Sequence, residues 1–242
     1  MPLQILNTEQ DTQSLFQGDI IFLNDVIRGN LISLYQDRVN KAEFAIILTQ
    51  SCDLVKRSEL GNKCKAQLIH MGLLSAFDDY FFNDLSKYCE KGLFENKVRI
   101  IDEGKAQKLQ NSLEKLLNNN NNDHFFIPED SGKGLTSHYI VDLRDQCLLS
   151  YEYFEEILRN KRCELEEIFR AKLGYMVSQL FSRIGTKDWN KKELENTIKG
   201  LINANSIILS KDKVRIARQK ESELLSQYPL PEQLIPAIKQ LS

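Results

Sequence analysis

The sequence predicts an α+β chain in which a small, barrel-like β-sheet with a helical insertion precedes a helical C-terminal region. Short apolar segments, spaced roughly ten to twenty residues apart with polar connections, are typical of a small barrel or curled sheet. Apolar residues then recur at helical spacing in the middle and again in the C-terminal part. These patterns predict a β-rich domain over residues 1–150, with the insertion at about residues 72–118, and a helical region over residues 151–242.

The predicted strands begin after the glycine–aspartate turn at Gly18 and Asp19. The most apolar segment, residues 44–49, is continuous and contains β-branched residues, which is typical of a strand buried on both faces. The same reasoning predicts early strands at residues 20–23, 31–35 and 66–71. Residues 124–127 and 137–143 flank a Gly/Ser turn, and they predict a hairpin that completes the early sheet.

Helical periodicity and capping residues predict the remaining elements. Residues 73–91 and 103–117 form the insertion, which ends at the asparagine-rich run 118–123 because asparagine competes for backbone hydrogen bonds. From residue 149 onward the chain is predicted to be helical, with its clearest helix at residues 165–184, closed by Gly185. Asn190 and Ser210 are predicted to cap two further helices, the second of which runs from residue 211 through residue 225. Pro231 suits the first turn of a last short helix that reaches about residue 240.

The overall composition favours a folded chain that carries no strong global charge. It is 42% hydrophobic with a formal net charge of −2, so no large field directs it to nucleic acid or to an anionic membrane. Its five cysteines are scattered, without a C-x-x-C pair, which indicates a reducing compartment. The N-terminus does not resemble a signal peptide, and no segment has the length of a membrane helix. We therefore expect a cytoplasmic protein with no membrane partner.

A polar corner directly follows the most apolar strand, and it is the strongest candidate site. It consists of Thr49, Gln50, Ser51, Cys52 and Asp53, with Lys56 just beyond it. Polar groups at the end of a buried strand lie at the sheet rim, where a rigid scaffold presents functional side chains.

Three interpretations of this corner compete. In the first, it is a structural turn in which Ser51 and Asp53 cap the backbone and Cys52 fills space. In the second, Thr49, Gln50, Ser51, Asp53 and Lys56 bind a partner or a nucleotide through hydrogen bonds. In the third, Cys52 is a catalytic nucleophile with Asp53 beside it, which requires a base from the three histidines of the chain, His70, His124 and His138.

Signatures of cofactors and metals do not occur in the sequence. Cys52, Cys64 and His70 match no common zinc spacing. Gly132 and Gly134 are not followed by the lysine and hydroxyl residue of a phosphate-binding loop. We therefore expect neither a cofactor nor a metal.

Two basic segments are candidates for contact with nucleic acid. Lys211, Arg215 and Arg218 share one face of a predicted helix and are positioned to follow phosphates. Arg159, Lys161 and Arg162 form a second cationic patch. A solvated helix surface is the favoured interpretation of both segments.

Gly18, Asp19 and the apolar residues 20–22 are followed by the apolar strand 44–48 and its polar corner. In these features, residues 17–71 resemble the PemK/MazF family of bacterial growth-inhibitor toxins. The resemblance implies an SH3-like barrel, usually dimeric, and RNA cleavage by an Arg and a Thr or Ser beside the barrel. Ala42 and Glu43 stand where the family has Arg-Pro, and residues 66–71 contain no Thr or Ser, so neither catalytic residue carries over.

These observations lead to one functional hypothesis and two alternatives. The hypothesis is a non-catalytic component of a bacterial toxin, stress or phage-defence system that binds a protein partner or nucleic acid through the corner and the helical half. The first alternative is an enzyme, either a divergent MazF-like endoribonuclease or a Cys52-dependent hydrolase. The second is a scaffold subunit whose apolar helices bury a homo-oligomer interface.

Overall fold

The computed structural model describes residues 5–9, 11–33, 36–61, 63–179 and 189–241. The chain packs as two compact units. The first unit combines Met1–Tyr80 with Asn118–Asp188, and the second combines Phe81–Leu117 with Trp189–Ser242. This division differs from a boundary at residue 150, because the sheet of the first unit continues to residue 163 and the helices after residue 189 pack with the inserted segment.

The strands and helices of both units are as follows, in chain order. The strands are Ile20–Phe22 (β1), Phe44–Ile47 (β2), Leu68–Ala76 (β3), Ile100–Asp102 (β4), His124–Ile127 (β5), Tyr139–Ser150 (β6), Lys161–Cys163 (β7) and Ile207–Leu209 (β8). The helices are Asp25–Asn30 (α1), Gln36–Lys41 (α2), Ser51–Leu54 (α3), Phe77–Tyr88 (α4), Glu103–Leu117 (α5), Phe154–Arg159 (α6), Glu167–Gln179 (α7), Lys191–Asn205 (α8), Lys211–Gln219 (α9), Glu221–Gln227 (α10) and Pro231–Lys239 (α11). The α+β class predicted from the sequence is thus confirmed.

The first unit contains a six-stranded antiparallel sheet in the order β5-β6-β3-β2-β1-β7. The barrel expected from the sequence is not confirmed, because this sheet is not closed and β5 and β7 lie at its two edges. The predicted hairpin is confirmed, since β5 pairs with β6 and β6 pairs with β3 of the early sheet.

At β2, both faces of the sheet are covered by apolar side chains, which explains the continuous apolar sequence of this strand. Phe44 and Ile46 belong to one cluster, to which α7 contributes Phe169 and Leu173 among others. The alternate residues of β2, Ala45 and Ile47, belong to a second cluster on the other face. This cluster also contains Ile27 of α1, Val39 of α2 and Ile157 of α6. All four residues of β2 are buried, so its prediction as a central strand is confirmed.

Several predicted elements shift in the structure. The helix expected from residue 73 begins only at Phe77, because β3 continues to Ala76 by pairing with Tyr139 on β6. Of the strand expected at residues 31–35, Ile32 forms an isolated bridge, and residues 34 and 35 lie outside the described residues. The predicted end of the long helix, residues 180–184 with Gly185, also lies outside them.

The C-terminal capping predictions are confirmed by hydrogen bonds. The side chain of Asn190 accepts from the first turn of α8, and that of Ser210 accepts from Lys213 at the start of α9. Pro231 occupies the first turn of α11. The sequence predicts one helix from residue 211 to residue 225, whereas the structure has two: α9 ends at Gln219, and α10 begins at Glu221.

The second unit is built around two short parallel strands. Ile100 on β4 lies opposite Ile207 on β8. Helix α5 follows β4 in the chain, and α9 follows β8. Its core contains apolar residues from these strands and from α9 to α11, including Ile100, Ile207, Leu209, Val214, Leu234 and Ile238. Within the described ranges, no helix of the chain combines the length and hydropathy needed to cross a bilayer.

Candidate functional site

The polar corner predicted from the sequence lies where β2 ends and α3 begins. The Thr49 hydroxyl oxygen accepts a hydrogen bond of 2.7 Å from the His70 backbone N–H. The Ser51 hydroxyl accepts one of 3.0 Å from the Gln17 backbone N–H. Two of the five side chains therefore satisfy backbone donors of neighbouring segments, which is the role of a structural turn.

The other three side chains of the corner differ in their exposure to solvent. Gln50 and Cys52 are exposed, and the Cys52 Sγ lies 3.7 Å from the Gln50 Oε1. Asp53 is half-buried, and among the described residues no side chain forms a hydrogen bond or ion pair with its carboxylate. Gln50 and Asp53 thus keep hydrogen-bonding capacity for a partner.

The histidines do not assemble with Cys52 in this structure. His70 Nδ1 lies 3.1 Å from the Gln146 Oε1, His138 Nδ1 accepts a hydrogen bond from the Glu129 backbone N–H, and His124 lies beside Tyr80. Within the described residues, no histidine, lysine or arginine side chain bonds to the Cys52 thiol. Catalysis by Cys52 and Asp53 stays a prediction that this geometry does not favour, because a thiol nucleophile needs a base within hydrogen-bonding reach.

Lys56 is engaged within the protein. Its ammonium group forms an ion pair with Glu155 and lies 4.6 Å from the centre of the Phe154 ring. The Arg57 guanidinium donates to the Cys52 carbonyl oxygen at 3.3 Å. The cations that follow the corner therefore stabilise its backbone and its attachment to α6.

An exposed sheet face borders the corner, and it was not foreseen from the sequence. Ile32 exchanges two backbone hydrogen bonds with Leu148 of β6. On its other side, Leu148 lies opposite His70 of β3. Directly opposed residues of antiparallel strands present their side chains on the same face, so these three form a row. Leu68 precedes His70 by two residues and shares its face. We call Ile32, Leu68, His70 and Leu148 the exposed sheet face.

Two members of this face are large apolar side chains in contact with solvent. Ile32 is 63% exposed and Leu68 is 42% exposed. The hydrogen bond from the His70 N–H to Thr49 ties the polar corner to the same row. An apolar patch with a hydrogen-bonding rim results.

A buried ionic cluster lies behind the turn that contacts Ser51. Lys161 Nζ lies 2.9 Å from the Asp19 Oδ2 and 2.9 Å from the Glu164 Oε1, and it donates to the Ser14 carbonyl oxygen at 3.0 Å. Arg170 pairs with the other oxygen of Glu164 at 3.0 Å. The expected surface patch of Arg159, Lys161 and Arg162 is therefore wrong at its centre, because Lys161 is buried to hold this cluster together.

Burial changes the protonation of the cluster. Desolvation raises the pKa of Asp19 to about 7, although Lys161 and the Phe16 backbone N–H act in the opposite direction. The pKa of Glu164 is lowered, because the hydrogen bonds and charge that it receives, above all from Lys161, outweigh its desolvation. Among the described residues, none bonds to the Asp19 Oδ1. The side chains of Asp19, Lys161 and Glu164 are almost completely buried, and their hydrogen bonds with Asn7, Asp11 and Ser14 attach the N-terminal segment to the sheet.

The predicted nucleic-acid face lies on α9 of the second unit. Lys211, Arg215 and Arg218 are all exposed. Arg218 forms an ion pair with Glu90, and Arg215 lies 3.9 Å from Asp212. Two of the three cations therefore already face a carboxylate, which weakens the face as a track for phosphates.

A basic cleft in the second unit was missed by sequence reasoning. It encloses about 340 Å³ and is lined by three cationic residues, Lys97, Arg99 and Lys239, together with Asn203, Asn205 and Ser206. Lys97 and Arg99 are two residues apart, but Lys239 lies far away in the sequence. Their spacing gave no signal, because only the packing of α11 beside β8 brings them together.

Neither a metal-binding cluster nor similarity to known proteins indicates the function of this site. The described residues contain no cluster of histidine, cysteine and acidic side chains that could hold a metal ion. Comparison of the chain with protein-family models, with curated proteins and with solved structures gave no match.

Proposed function

We propose that the chain is a non-catalytic binding component whose first unit binds a protein partner on the exposed sheet face and the adjoining polar corner. The observation that carries this proposal is the solvent exposure of Ile32 and Leu68 on one face of the sheet. Exposed apolar side chains grouped on a rigid element are typical of interaction surfaces.

The corner supplies the polar part of this surface. Gln50 offers an amide, and Asp53 offers a carboxylate that no described side chain engages. An apolar centre with hydrogen-bonding groups at its rim is the usual anatomy of a protein interface. A phosphate-rich partner is disfavoured here, because the neighbouring cation Lys56 already pairs with Glu155.

The cellular setting remains a prediction from the sequence. Membership of a toxin, stress or phage-defence system rests on the resemblance to the PemK/MazF family. A cytoplasmic location is supported by the five cysteines, all of which are free. The barrel and the ribonuclease activity implied by that family receive no support from the open sheet.

Affinity capture with the full chain tests the proposal. The variant Ile32→Glu/Leu68→Glu places two charges on the exposed sheet face, and we expect it to bind the captured partner at least about tenfold more weakly. The matched control is Val26→Glu, because Val26 is also exposed but lies on α1, which covers the opposite face of the sheet.

The possible results of this capture differ clearly. A partner that is retained by the control and lost from the double variant supports the proposal. A captured set that is the same for all three proteins contradicts it. Sedimentation of the purified chain distinguishes a second copy from a different protein, since self-association depends on the concentration of this chain alone.

A further inference from the structure

The basic cleft lies at the amino ends of the two parallel strands of the second unit. The segment before β4 contributes Lys97, Val98 and Arg99, and the end of α8 with the residue before β8 contributes another wall. Ile235 and Lys239 of α11 close the third side. All three walls belong to the second unit, so the cleft is independent of the surface assigned above.

The charge of the cleft has one sign. Lys97, Arg99 and Lys239 are exposed cations, and its described lining contains no carboxylate. In a concave site, charges of one sign add their fields and attract a ligand of the opposite sign. The cleft is therefore suited to an anion.

The Arg99 guanidinium is held in place by an aromatic ring and remains available. It lies 5.0 Å from the centre of the Phe82 ring. Arg99 also lines a neighbouring cleft of about 250 Å³ that contains Glu90. Glu90, however, already pairs with Lys105 at 2.7 Å and with Arg218. A guanidinium fixed on a ring loses less entropy when it binds a phosphate, and its planar fork suits that group.

The end of α8 brings carbonyl groups to the border of the cleft. The last carbonyl groups of a helix carry partial negative charge and repel anions. Here the Asn205 side chain donates to the Leu201 carbonyl oxygen at 2.9 Å, and the Ser206 hydroxyl donates to the Ile202 carbonyl oxygen at 2.7 Å. Two carbonyl groups are thus engaged by side-chain donors, and the full charges of Arg99 and Lys239 outweigh the partial charge of the others.

We infer that this cleft binds a phosphate ester of nucleotide size, with the phosphate between Arg99 and Lys239. Its volume of about 340 Å³ falls within the range of small-molecule sites and leaves room for more than a phosphate group. Among its apolar lining residues, Val98 and Ile207 belong to the core of the unit, whereas Ile235 is half-buried and supplies an apolar contact, and Asn203 supplies an amide. The cleft differs from α9, where Arg215 and Arg218 face acidic partners.

Titration calorimetry of the full chain at low salt tests this inference, with the 5′-monophosphates of adenosine, guanosine, cytidine and uridine as probes. We expect at least one of them to bind. The variant Arg99→Gln/Lys239→Gln is expected to weaken that binding by at least about tenfold, because two charge-assisted contacts are lost. The matched control, Lys211→Gln/Arg215→Gln, removes the same charge from the same unit and is expected to bind normally.

Two results overturn the inference. The first is the absence of binding for all four probes; if a 20-nucleotide single strand is then retained, the cations are assigned to nucleic acid instead. The second is an equal loss of binding in the variant and in the control, which indicates general electrostatic attraction. Circular dichroism of each variant verifies that it is folded, so that a loss of binding can be attributed to the substituted side chains of the cleft.

Discussion

The Lys161 ammonium nitrogen lies 2.9 Å from Oδ2 of Asp19, and the two side chains are only 1% and 0% exposed. Asp19 directly precedes β1, and Lys161 begins the neighbouring edge strand β7, so one buried ion pair joins two strands that are far apart in the sequence. Because water is excluded, removing Lys161 leaves Asp19 and Glu164 without their common cation. This pair therefore controls how the stability of the first unit responds to substitution and to pH.

Replacing Lys161 with Met is expected to destabilise the protein by about 3 kcal/mol or more, because Asp19 and Glu164 then share a buried site without their common cation. Urea unfolding measures the change in the free energy of unfolding. Lys41→Met is the control, since Lys41 is exposed at the end of α2. Equal stability of the two variants would show that the buried cation contributes nothing.

The stability of the protein is expected to depend on the protonation of Asp19. Burial raises its pKa from 3.8 to about 7, so between these pH values the folded state holds a proton that the unfolded state has lost. The contribution of Asp19 to stability is thus fully present below pH 4 and declines as the pH rises to about 7, by at most about 1.4 kcal/mol per pH unit.

The variant Asp19→Asn isolates this effect. Unfolding free energies of both proteins are measured from pH 5 to pH 7.5, and the decline attributable to Asp19 is absent from the variant. Asp37→Asn, at an exposed position on α2, is expected to keep the decline. The same pH profile for the parent protein and Asp19→Asn would contradict the assignment.

Two glycines in helices are expected to respond oppositely to alanine. At Gly174 on α7, an added methyl group would lie 2.4 Å from the Gln17 Oε1, and Gln17 donates to the Leu48 carbonyl oxygen behind the polar corner. Gly174→Ala is therefore expected to cost about 1–3 kcal/mol. At Gly200 on α8 there is no atom within 4 Å of such a methyl group, so Gly200→Ala gains up to about 1 kcal/mol from helix propensity. Thermal unfolding measures the stability of both variants relative to the parent protein, and destabilisation of both would refute the prediction.

Cysteine reactivity is expected to separate the corner from the core. Cys52 is exposed, whereas burial raises the pKa of Cys147 and of Cys163 to about 12. A disulfide reagent at pH 8 is thus expected to modify Cys52 first and these two only on unfolding. Cys52→Ser removes the fastest phase, and a fast phase that survives this substitution would place the most accessible thiol elsewhere.

Local patterns predicted much of the fold because the forces behind them are local. The apolar run of β2 and the caps at Asn190 and Ser210 depend on neighbours in sequence, and all three are confirmed. The length of β3 could not be predicted in this way, since residues 73–76 become strand only by pairing with β6. The open sheet likewise depends on β7 joining β1 rather than β5.

The candidate site was predicted in position but not in detail. A polar corner after the most buried strand follows from the order of residues 44–53 alone. The Thr49 and Ser51 hydroxyl groups accept hydrogen bonds from the backbone N–H groups of His70 and Gln17, and these bonds depend on tertiary contacts. The basic cleft depends on them entirely, because Lys239 joins Arg99 only through packing within the second unit.

The pairing of β4 with β8 joins residues 100–102 to residues 207–209, across more than a hundred intervening residues. During synthesis from the ribosome, α5 and its apolar side therefore emerge long before α8 and β8, against which they pack, are made. A nascent chain stopped near residue 188 keeps every segment of the first unit but lacks the segments that pack with residues 81–117. We expect the apolar side of the inserted segment to stay accessible to chaperones and proteases until residues 189–241 have been made.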